Sequence, residues 1–230
     1  MINLNLIKNI IVFLIAYIPP IVVFDKYWIR DKRNKVVLFI INILFIGLSM
    51  YTQNIVPFIF VIINIVYMRF TDNFYKFDIK KFNIIDALRL AAISYLVVII
   101  ILLLQNAIEN SLKIKLDQQE IVTNMTNMSL NKLVFMVPVV VIFAPVLEEF
   151  VFRWIFFEKI FKSRLGVLGA ALLSSLMFSL VHFNINVFFI ILWIGIYNCY
   201  LIHKKGYWYA VINHAVFNSV TMISLIYSKI

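Results

Sequence analysis

Two adjacent glutamates, Glu148 and Glu149, lie inside an apolar stretch that runs from Leu133 to Phe157. Arg153 is the only other ionisable residue of that stretch. A charged side chain near the centre of a bilayer costs about 2.5–3.5 kcal/mol on insertion scales, so acids at such positions usually have a function. The two glutamates are therefore the first candidates for chemistry in this sequence.

Their spacing to Arg153 separates the two acids. Glu149 and Arg153 are four residues apart with the acid on the N-terminal side, which favours an ion pair on one helix face. Glu148 is displaced by about 100° around the helix, so it does not have to share the arginine. A carboxylate without a cationic partner is suited to act as a general base. Glu148 is therefore predicted to be the base and Glu149 a structural acid, and the alternative is a charge cluster that only fixes helix packing.

His182 ends a later apolar stretch. It follows Phe178 by four residues, on a helix face where small residues recur at the same interval. Small residues on such a face allow another helix to approach closely. A single histidine at a helix end is more often an interfacial residue than a catalytic one, so His182 gains weight only from its companions. The small residues of this face are Gly166, Ala170 and Ser174.

His214 and Asn218 are also four residues apart and project from one side of a helix. Together with Glu148 and His182 they form a set that can activate water. The glutamate and one histidine can remove a proton, while the other histidine and the amide stabilise an oxyanion. The same side chains could instead hold a divalent metal, with Glu148, His182 and His214 as ligands. The zinc pattern HExxH is absent from the sequence, so spacing leaves this choice open.

The chain as a whole has the composition of a membrane protein. Of its 230 residues, 63% are hydrophobic and 14% are charged, whereas a soluble domain has about 25% charged residues. We predict an all-α, polytopic integral membrane protein with one domain, 1–230, in which all candidate residues lie within 133–220. Apolar runs of about 17–25 residues mark the spans. The eight predicted spans are roughly 5–24, 36–51, 54–70, 87–105, 133–157, 165–183, 185–202 and 207–227.

The net charge of +10 does not indicate nucleic-acid binding, because the basic residues lie in short segments between apolar runs. Eight alternating spans place 16 of the 21 basic residues on one side, which is therefore predicted to be cytoplasmic, with both termini outside. Counting residues along the helices places the polar site within the membrane, toward that basic side. The connection 105–131 is predicted to contain an amphipathic helix at the membrane interface. Cys199 is the only cysteine, so an intrachain disulfide is excluded.

Three motifs resemble those of a known family. Glu148 to Arg153 reads EEFVFR and fits EExxxR, Phe178 to His182 reads FSLVH and fits FxxxH, and His214 to Asn218 reads HAVFN and fits HxxxN. In this order on three membrane helices, they resemble the CAAX protease and bacteriocin-processing (CPBP, or Abi) family of intramembrane endopeptidases. The resemblance covers about residues 133–220, and every motif position is occupied.

The resemblance implies a protease that cuts a peptide bond near the membrane surface. In that family pattern Glu148 is the base, His182 assists it, and His214 and Asn218 support the oxyanion. Glu149, Arg153 and Phe178 then support the site structurally. Family members are described both as metalloproteases and as glutamate-dependent enzymes without a catalytic metal; we favour the second description and leave zinc open.

The expected partners are the lipid bilayer and a membrane-proximal peptide or protein, without nucleic acid. A bacterial cytoplasmic membrane is the expected location, because the richness in Ile, Asn, Lys and Phe is typical of AT-rich bacterial genomes. Peptide processing or bacteriocin self-immunity is favoured over cleavage of a prenylated protein. Two other functions compete: a non-proteolytic scaffold of the same fold that binds a membrane or cell-wall partner, and a small transporter with a proton relay.

Overall fold

The computed structural model describes residues 4–52, 54–71, 77–80, 82–114 and 116–230. In these ranges the regular structure is helical throughout, without a strand. Helices satisfy their backbone hydrogen bonds internally, which a lipid environment requires. The predicted fold class, an all-α polytopic membrane protein, is confirmed.

The helices include several π-helical segments, in which the hydrogen bonds join residues five positions apart. Three such segments, π1 (Phe13–Tyr17), π2 (Val139–Phe143) and π3 (Glu149–Phe161), interrupt otherwise α-helical stretches. The α-helices in chain order are α1 (Leu4–Val12), α2 (Ile18–Arg30), α3 (Lys35–Thr52), α4 (Ile55–Thr71), α5 (Ile84–Leu112), α6 (Glu120–Thr126), α7 (Leu130–Pro138), α8 (Ala144–Glu148), α9 (Lys162–Leu180), α10 (Ile185–Lys204) and α11 (Tyr207–Tyr227).

Each of the eight predicted spans corresponds to a helix. Within the described residues, 6 helical stretches are long and apolar enough to cross a membrane, and Ile55–Phe70 is a shorter apolar helix. One of the six, Leu130–Leu180, is 51 residues long. It contains two predicted spans. Gly166, whose backbone is non-helical with φ 68°, interrupts the helix between them. Only glycine adopts this conformation at little cost.

The connection between the fourth and fifth spans is shorter than the predicted one, 105–131, and contains a short helix. Helix α5 continues to Leu112 and ends at Lys113, whose φ is 53°. The short helix of this connection is α6, and its Met125 is buried against Leu133 and Met222. The hydrophobic residues up to Leu112 therefore extend a spanning helix, and α6 packs onto the bundle.

The bundle has two distinct ends. The first, which we call the basic end, contains the turns 31–34 and 205–206 and is held by an ion pair of 3.0 Å between Lys205 and Asp86. The opposite end contains Asn54, the connection 116–129 and the turn 181–184. There, the side chain of Asn184 donates to the carbonyl of Asp117 at 3.2 Å. Lys76, Lys81 and Lys115, which contribute to the predicted topology, lie outside the described residues.

Helix α9 is closely packed on two sides, against π3 and against α10. Ser174 donates to the carbonyl of Phe152 at 2.6 Å, which joins α9 to π3. On its other side α9 meets α10, where a Cβ added to Gly195 would lie 2.7 Å from the Cβ of Ser175. Small residues on both faces of α9 therefore allow close helix contacts.

Candidate active site

The Glu149 carboxylate contacts two cationic or potentially cationic groups at once. Its Oε2 lies 3.2 Å from Nε of Arg153, one helical turn away. Its Oε1 lies 2.7 Å from Nδ1 of His214 on α11. The side chains of Glu149 and Arg153 are both 0% exposed. Sequence spacing predicts the contact with Arg153, but the contact with His214 depends on how α11 packs against π3.

Arg153 is held by the face of an aromatic ring as well as by Glu149. Its guanidinium carbon lies 4.0 Å from the ring centroid of Phe178, within the range of a cation–π interaction. The same ring meets the imidazoles of His182 and His214 edge-on, with centroid distances of 4.9 and 5.7 Å. Phe178 therefore lies at the centre of the cluster and spaces the arginine from both histidines.

His214 lies between the two glutamates. Because a carboxylate only accepts hydrogen bonds, the 2.7 Å contact with Glu149 requires a proton on Nδ1 of His214. The other ring nitrogen, Nε2, lies 3.7 Å from Oε2 of Glu148. A carboxylate that fixes the orientation of an imidazole by binding Nδ1–H is a common arrangement in catalytic sites.

Glu148 differs from Glu149 in its access to a cavity. The Glu148 side chain is 22% exposed, against 0% for Glu149. It lines a cavity of about 650 Å³ together with Phe152, Phe178 and His182. The acid that is free of Arg153 is thus the one that a water molecule or a substrate can reach.

His182 contributes the second histidine of this cavity. Its Nδ1 lies 2.7 Å from the carbonyl oxygen of Phe178. A carbonyl only accepts hydrogen bonds, so Nδ1 carries the proton and Nε2 of the neutral ring has a free lone pair. His182 follows the last turn of α9, where the chain turns toward Asn184. This places a proton acceptor in the same cavity as Glu148.

Asn218 is directed at the backbone of the Glu148 helix. Its Nδ2 donates to the carbonyl of Val140 at 2.8 Å. In π2 the N–H of Ala144 bonds to the carbonyl of Val139, so in that register the carbonyl of Val140 would pair with residue 145. Residue 145 is proline and has no N–H, and Asn218 supplies the missing donor. The π-helical segment π2 lies between Pro138 and Pro145.

The cavity is also lined by residues outside the three motifs, among them Tyr17 and Asn54, which the sequence did not predict as site residues. Tyr17, the last residue of π1, donates from its hydroxyl to Oδ1 of Asn54 at 2.8 Å. Both side chains face the cavity that contains Glu148. The one sequence feature that points to Tyr17 is its position in the first span, two residues before the Pro19–Pro20 pair. Carboxamides are frequent elsewhere on the wall: Asn9, Gln118, Gln119, Asn124 and Asn184.

The arrangement of side chains does not match a three-ligand metal centre. Within the described ranges, no group of three or more His, Cys, Asp or Glu residues is placed to hold a metal ion. Both His214 and His182 direct Nδ1 at a protein oxygen, which leaves Nε2 of each ring available, as in histidines that bind a metal. The three residues Glu148, His182 and His214 are nevertheless not gathered around one point in this structure.

The cavity opens away from the basic end. Its outer wall contains Lys8, Gln118 and Asn184, which belong to the opposite end of the bundle. The sequence-based depth estimate placed the site toward the basic side. That estimate assumed straight spans of equal depth, whereas His182 lies in the turn after α9, at the far end from Gly166.

Comparison with known proteins gives a match to a protein-family model. Residues 130–220, fewer than half of the 230 in the chain, match the family model described as Rce1-like, type II CAAX prenyl endopeptidase Rce1-like. No curated protein and no solved structure matches the chain. The matched segment begins with α7 and contains all three motifs. This match confirms the family resemblance predicted from the motifs in Glu148–Arg153, Phe178–His182 and His214–Asn218.

Proposed function

We propose that this protein is an intramembrane endopeptidase that uses Glu148 as the general base to hydrolyse a peptide bond of a membrane-proximal polypeptide. The observation that carries the proposal is the division of the two acids. Glu149 is buried against Arg153 and His214, whereas Glu148 faces the cavity beside His182. The family match of residues 130–220 to an endopeptidase supports the same reaction class.

In the proposed reaction, a water molecule in the cavity loses a proton to the Glu148 carboxylate as its oxygen attacks the carbonyl carbon of the peptide. His182 orients this water through the free lone pair on Nε2, because its Nδ1–H is held by Phe178. The proton on Glu148 then passes to the departing amine nitrogen when the C–N bond breaks. One carboxylate thus serves first as base and then as acid.

The oxyanion of the tetrahedral intermediate is stabilised in this proposal by His214. For this role the His214 ring must carry a proton on Nε2 as well as on Nδ1. Nε2 lies 3.7 Å from Oε2 of Glu148. Its N–H could therefore donate a hydrogen bond to an oxyanion that forms beside the Glu148 carboxylate. Asn218 has one amide N–H left after its bond to Val140, and we retain it as a second donor.

The neutral polar wall of the cavity fits the main chain of a peptide. Carboxamides such as Gln118, Gln119 and Asn124 offer both donors and acceptors, and an extended peptide brings both kinds of group. We propose a peptide or leader-peptide substrate in a bacterial cytoplasmic membrane, with peptide processing or bacteriocin self-immunity as the biological context.

The test is a cleavage assay with purified protein in lipid and a library of membrane-proximal peptides. Wild type should cleave some of these peptides, and Glu148→Gln should lower the rate by at least about 100-fold, the usual contribution of a general base. Glu109→Gln, a conservative change away from the cavity, is the matched control and should retain the wild-type rate. Cleavage by Glu148→Gln at the wild-type rate would show that Glu148 is not the base.

A second measurement addresses the cofactor. The wild-type assay is repeated after treatment with a chelator, and bound metal is quantified in the purified protein. The proposed mechanism predicts an unchanged rate and no stoichiometric metal. Loss of cleavage that added zinc restores would replace this mechanism with a metal-dependent one.

A further inference from the structure

The mouth of the cavity is formed by segments that all belong to one end of the bundle. Lys8 from the first helix and Glu120 from α6 form an ion pair of 3.9 Å there, and both line the cavity. Phe183, in the turn after α9, lies under the Lys8 ammonium at 5.9 Å. Three separate parts of the chain therefore meet around this opening.

The same end is fixed to the rest of the protein by the segment that precedes α6. The carbonyl of Asp117 accepts hydrogen bonds from Asn184 at 3.2 Å and from Asn186 at 3.4 Å. At the C-terminal end of α11, Lys229 donates to the carbonyl of Thr126 at 2.5 Å. Hydrogen bonds from the N-terminal end of α10 and from the residues after α11 therefore hold the segments around the opening in place.

Charge distinguishes this end from the other. The described basic residues near the mouth are few: Lys8, Lys113, Lys132 and Lys229 lie at the same end as the acids Glu109, Asp117 and Glu120. The basic end has five described acids, Asp25, Asp31, Asp78, Asp86 and Glu158, and a clear excess of basic residues: Lys26, Arg30, Lys32, Arg33, Lys35, Arg69, Lys80, Arg89, Lys159, Lys162, Arg164, Lys204 and Lys205. Short loops rich in Lys and Arg stay in the cytoplasm.

From these two observations we infer that the cavity containing Glu148 opens on the non-cytoplasmic face of the membrane. Its substrate is then a polypeptide segment that is exported or emerges on that face, and not a cytosolic protein. This inference rests on the proposed function for its substrate, but the orientation of the cavity is a separate physical property. The carboxamide wall and the single Lys8–Glu120 pair at the mouth match a largely uncharged peptide main chain.

The orientation can be tested with single cysteines, because Cys199 is the only native cysteine and is buried. In a Cys199→Ala background, Gln118→Cys places a thiol at the mouth and Lys204→Cys places one at the basic end. Both positions are exposed. Intact bacterial cells that express the full chain are treated with a membrane-impermeant maleimide, and total thiol is measured after detergent solubilisation.

We expect Gln118→Cys to react in intact cells and Lys204→Cys to react only after the cells are opened. The reverse pattern, or labelling of both cysteines in intact cells, would overturn the inference. Asn127→Cys and Lys32→Cys, also exposed at the two ends, provide a second pair if either first variant fails to accumulate.

A cleavage assay in oriented membrane vesicles distinguishes failure of this inference from failure of the proposed function. A water-soluble quenched peptide selected from the cleavage assay is added outside right-side-out and inside-out membrane vesicles. Cleavage should occur in right-side-out vesicles with wild type and disappear with Glu148→Gln. Cleavage confined to inside-out vesicles would contradict the inference. If neither preparation cleaves the peptide, the proposed function fails together with the substrate class, while the cysteine labelling still decides the orientation.

Discussion

At the scale of single residues, the two neighbouring glutamates have different surroundings for a simple geometric reason. Adjacent positions on a helix point about 100° apart, so one acid faces the packed interior and the other faces the cavity. Glu149 therefore finds Arg153 and His214, while Glu148 reaches the cavity. This division predicts that the two acids respond differently to the same substitution.

Glu149→Gln should destabilise the protein strongly, since it leaves the buried guanidinium of Arg153 without a counter-charge. Removing one partner of a buried ion pair typically costs about 3–5 kcal/mol. We expect a clear fall in the melting temperature in detergent, together with loss of cleavage because His214 loses its orienting carboxylate.

Glu148→Gln is the matched control for stability, because it makes the same chemical change in the neighbouring acid. It should leave the melting temperature close to that of the wild type while abolishing cleavage. If both variants melt at the wild-type temperature, the Glu149–Arg153 pair does not stabilise the fold.

At the scale of elements, the Glu148 helix depends on α11 for a backbone hydrogen bond. The carbonyl of Val140 receives its donor from Asn218 because Pro145 has no N–H. An unsatisfied buried carbonyl costs about 1–3 kcal/mol. Asn218 therefore stabilises π2 by this hydrogen bond, in addition to its role as a donor to the oxyanion in the proposed mechanism.

A double-mutant cycle tests this tie. Asn218→Ala alone should destabilise the protein by about 1–3 kcal/mol. In a Pro145→Ala background, residue 145 regains an N–H for the Val140 carbonyl, so the cost of Asn218→Ala should be smaller. Thermal unfolding of the four proteins in detergent gives the coupling. Additive costs would mean that Asn218 does not replace the missing donor of Pro145.

The contact between α9 and α10 leads to a packing prediction. A Cβ at Gly195 would lie 2.7 Å from Ser175 Cβ and 3.1 Å from Ser175 Cα. Gly195→Val should force the helices apart and destabilise the protein by about 1–3 kcal/mol.

Gly47, in α3, provides the matched control because nothing lies within 4 Å of a Cβ built there. Gly47→Val should leave the melting temperature nearly unchanged. Equal melting temperatures for Gly195→Val and Gly47→Val would argue against a close contact between α9 and α10.

At the scale of the whole molecule, the cavity draws on both halves of the chain. The matched segment 130–220 provides Glu148, Phe178 and His182, whereas Tyr17 and Asn54 come from the first and third spans. The N-terminal helices therefore form part of the cavity wall. Under the proposed function, they contribute to substrate binding.

Tyr17→Phe should weaken substrate binding without removing the base. The change deletes the hydroxyl that holds Asn54, and one such hydrogen bond contributes about 0.5–1.5 kcal/mol. We expect KM to rise by roughly 2- to 13-fold for that energy, with kcat largely retained. Tyr227→Phe, at an 81% exposed position, is the control. Wild-type kinetics for Tyr17→Phe would exclude this residue from substrate binding.

The sequence by itself determined the fold class, the approximate bounds of the spans and the family. Long apolar runs can be read directly because a membrane helix must bury its own backbone groups and present apolar side chains to lipid. Spacings of four residues were equally informative, since they depend only on helix geometry. The pairing of Glu149 with Arg153 belongs to this local class, and so does the shared face of His214 and Asn218.

Only the tertiary structure decided which helices meet and in what register. The contact of His214 with Glu149, the bond from Asn218 to Val140 and the Tyr17–Asn54 pair join residues 37 to 78 positions apart. Such contacts depend on the depth, rotation and packing of whole helices, which the local pattern of one span does not specify. For the same reason the direction of the cavity mouth could not be obtained by counting residues from the turns. The three motifs identified the candidate residues, and helix packing brought Glu148, Phe178 and His182 to one cavity. His214 lies behind Glu148, and Asn218 contacts the backbone of π2.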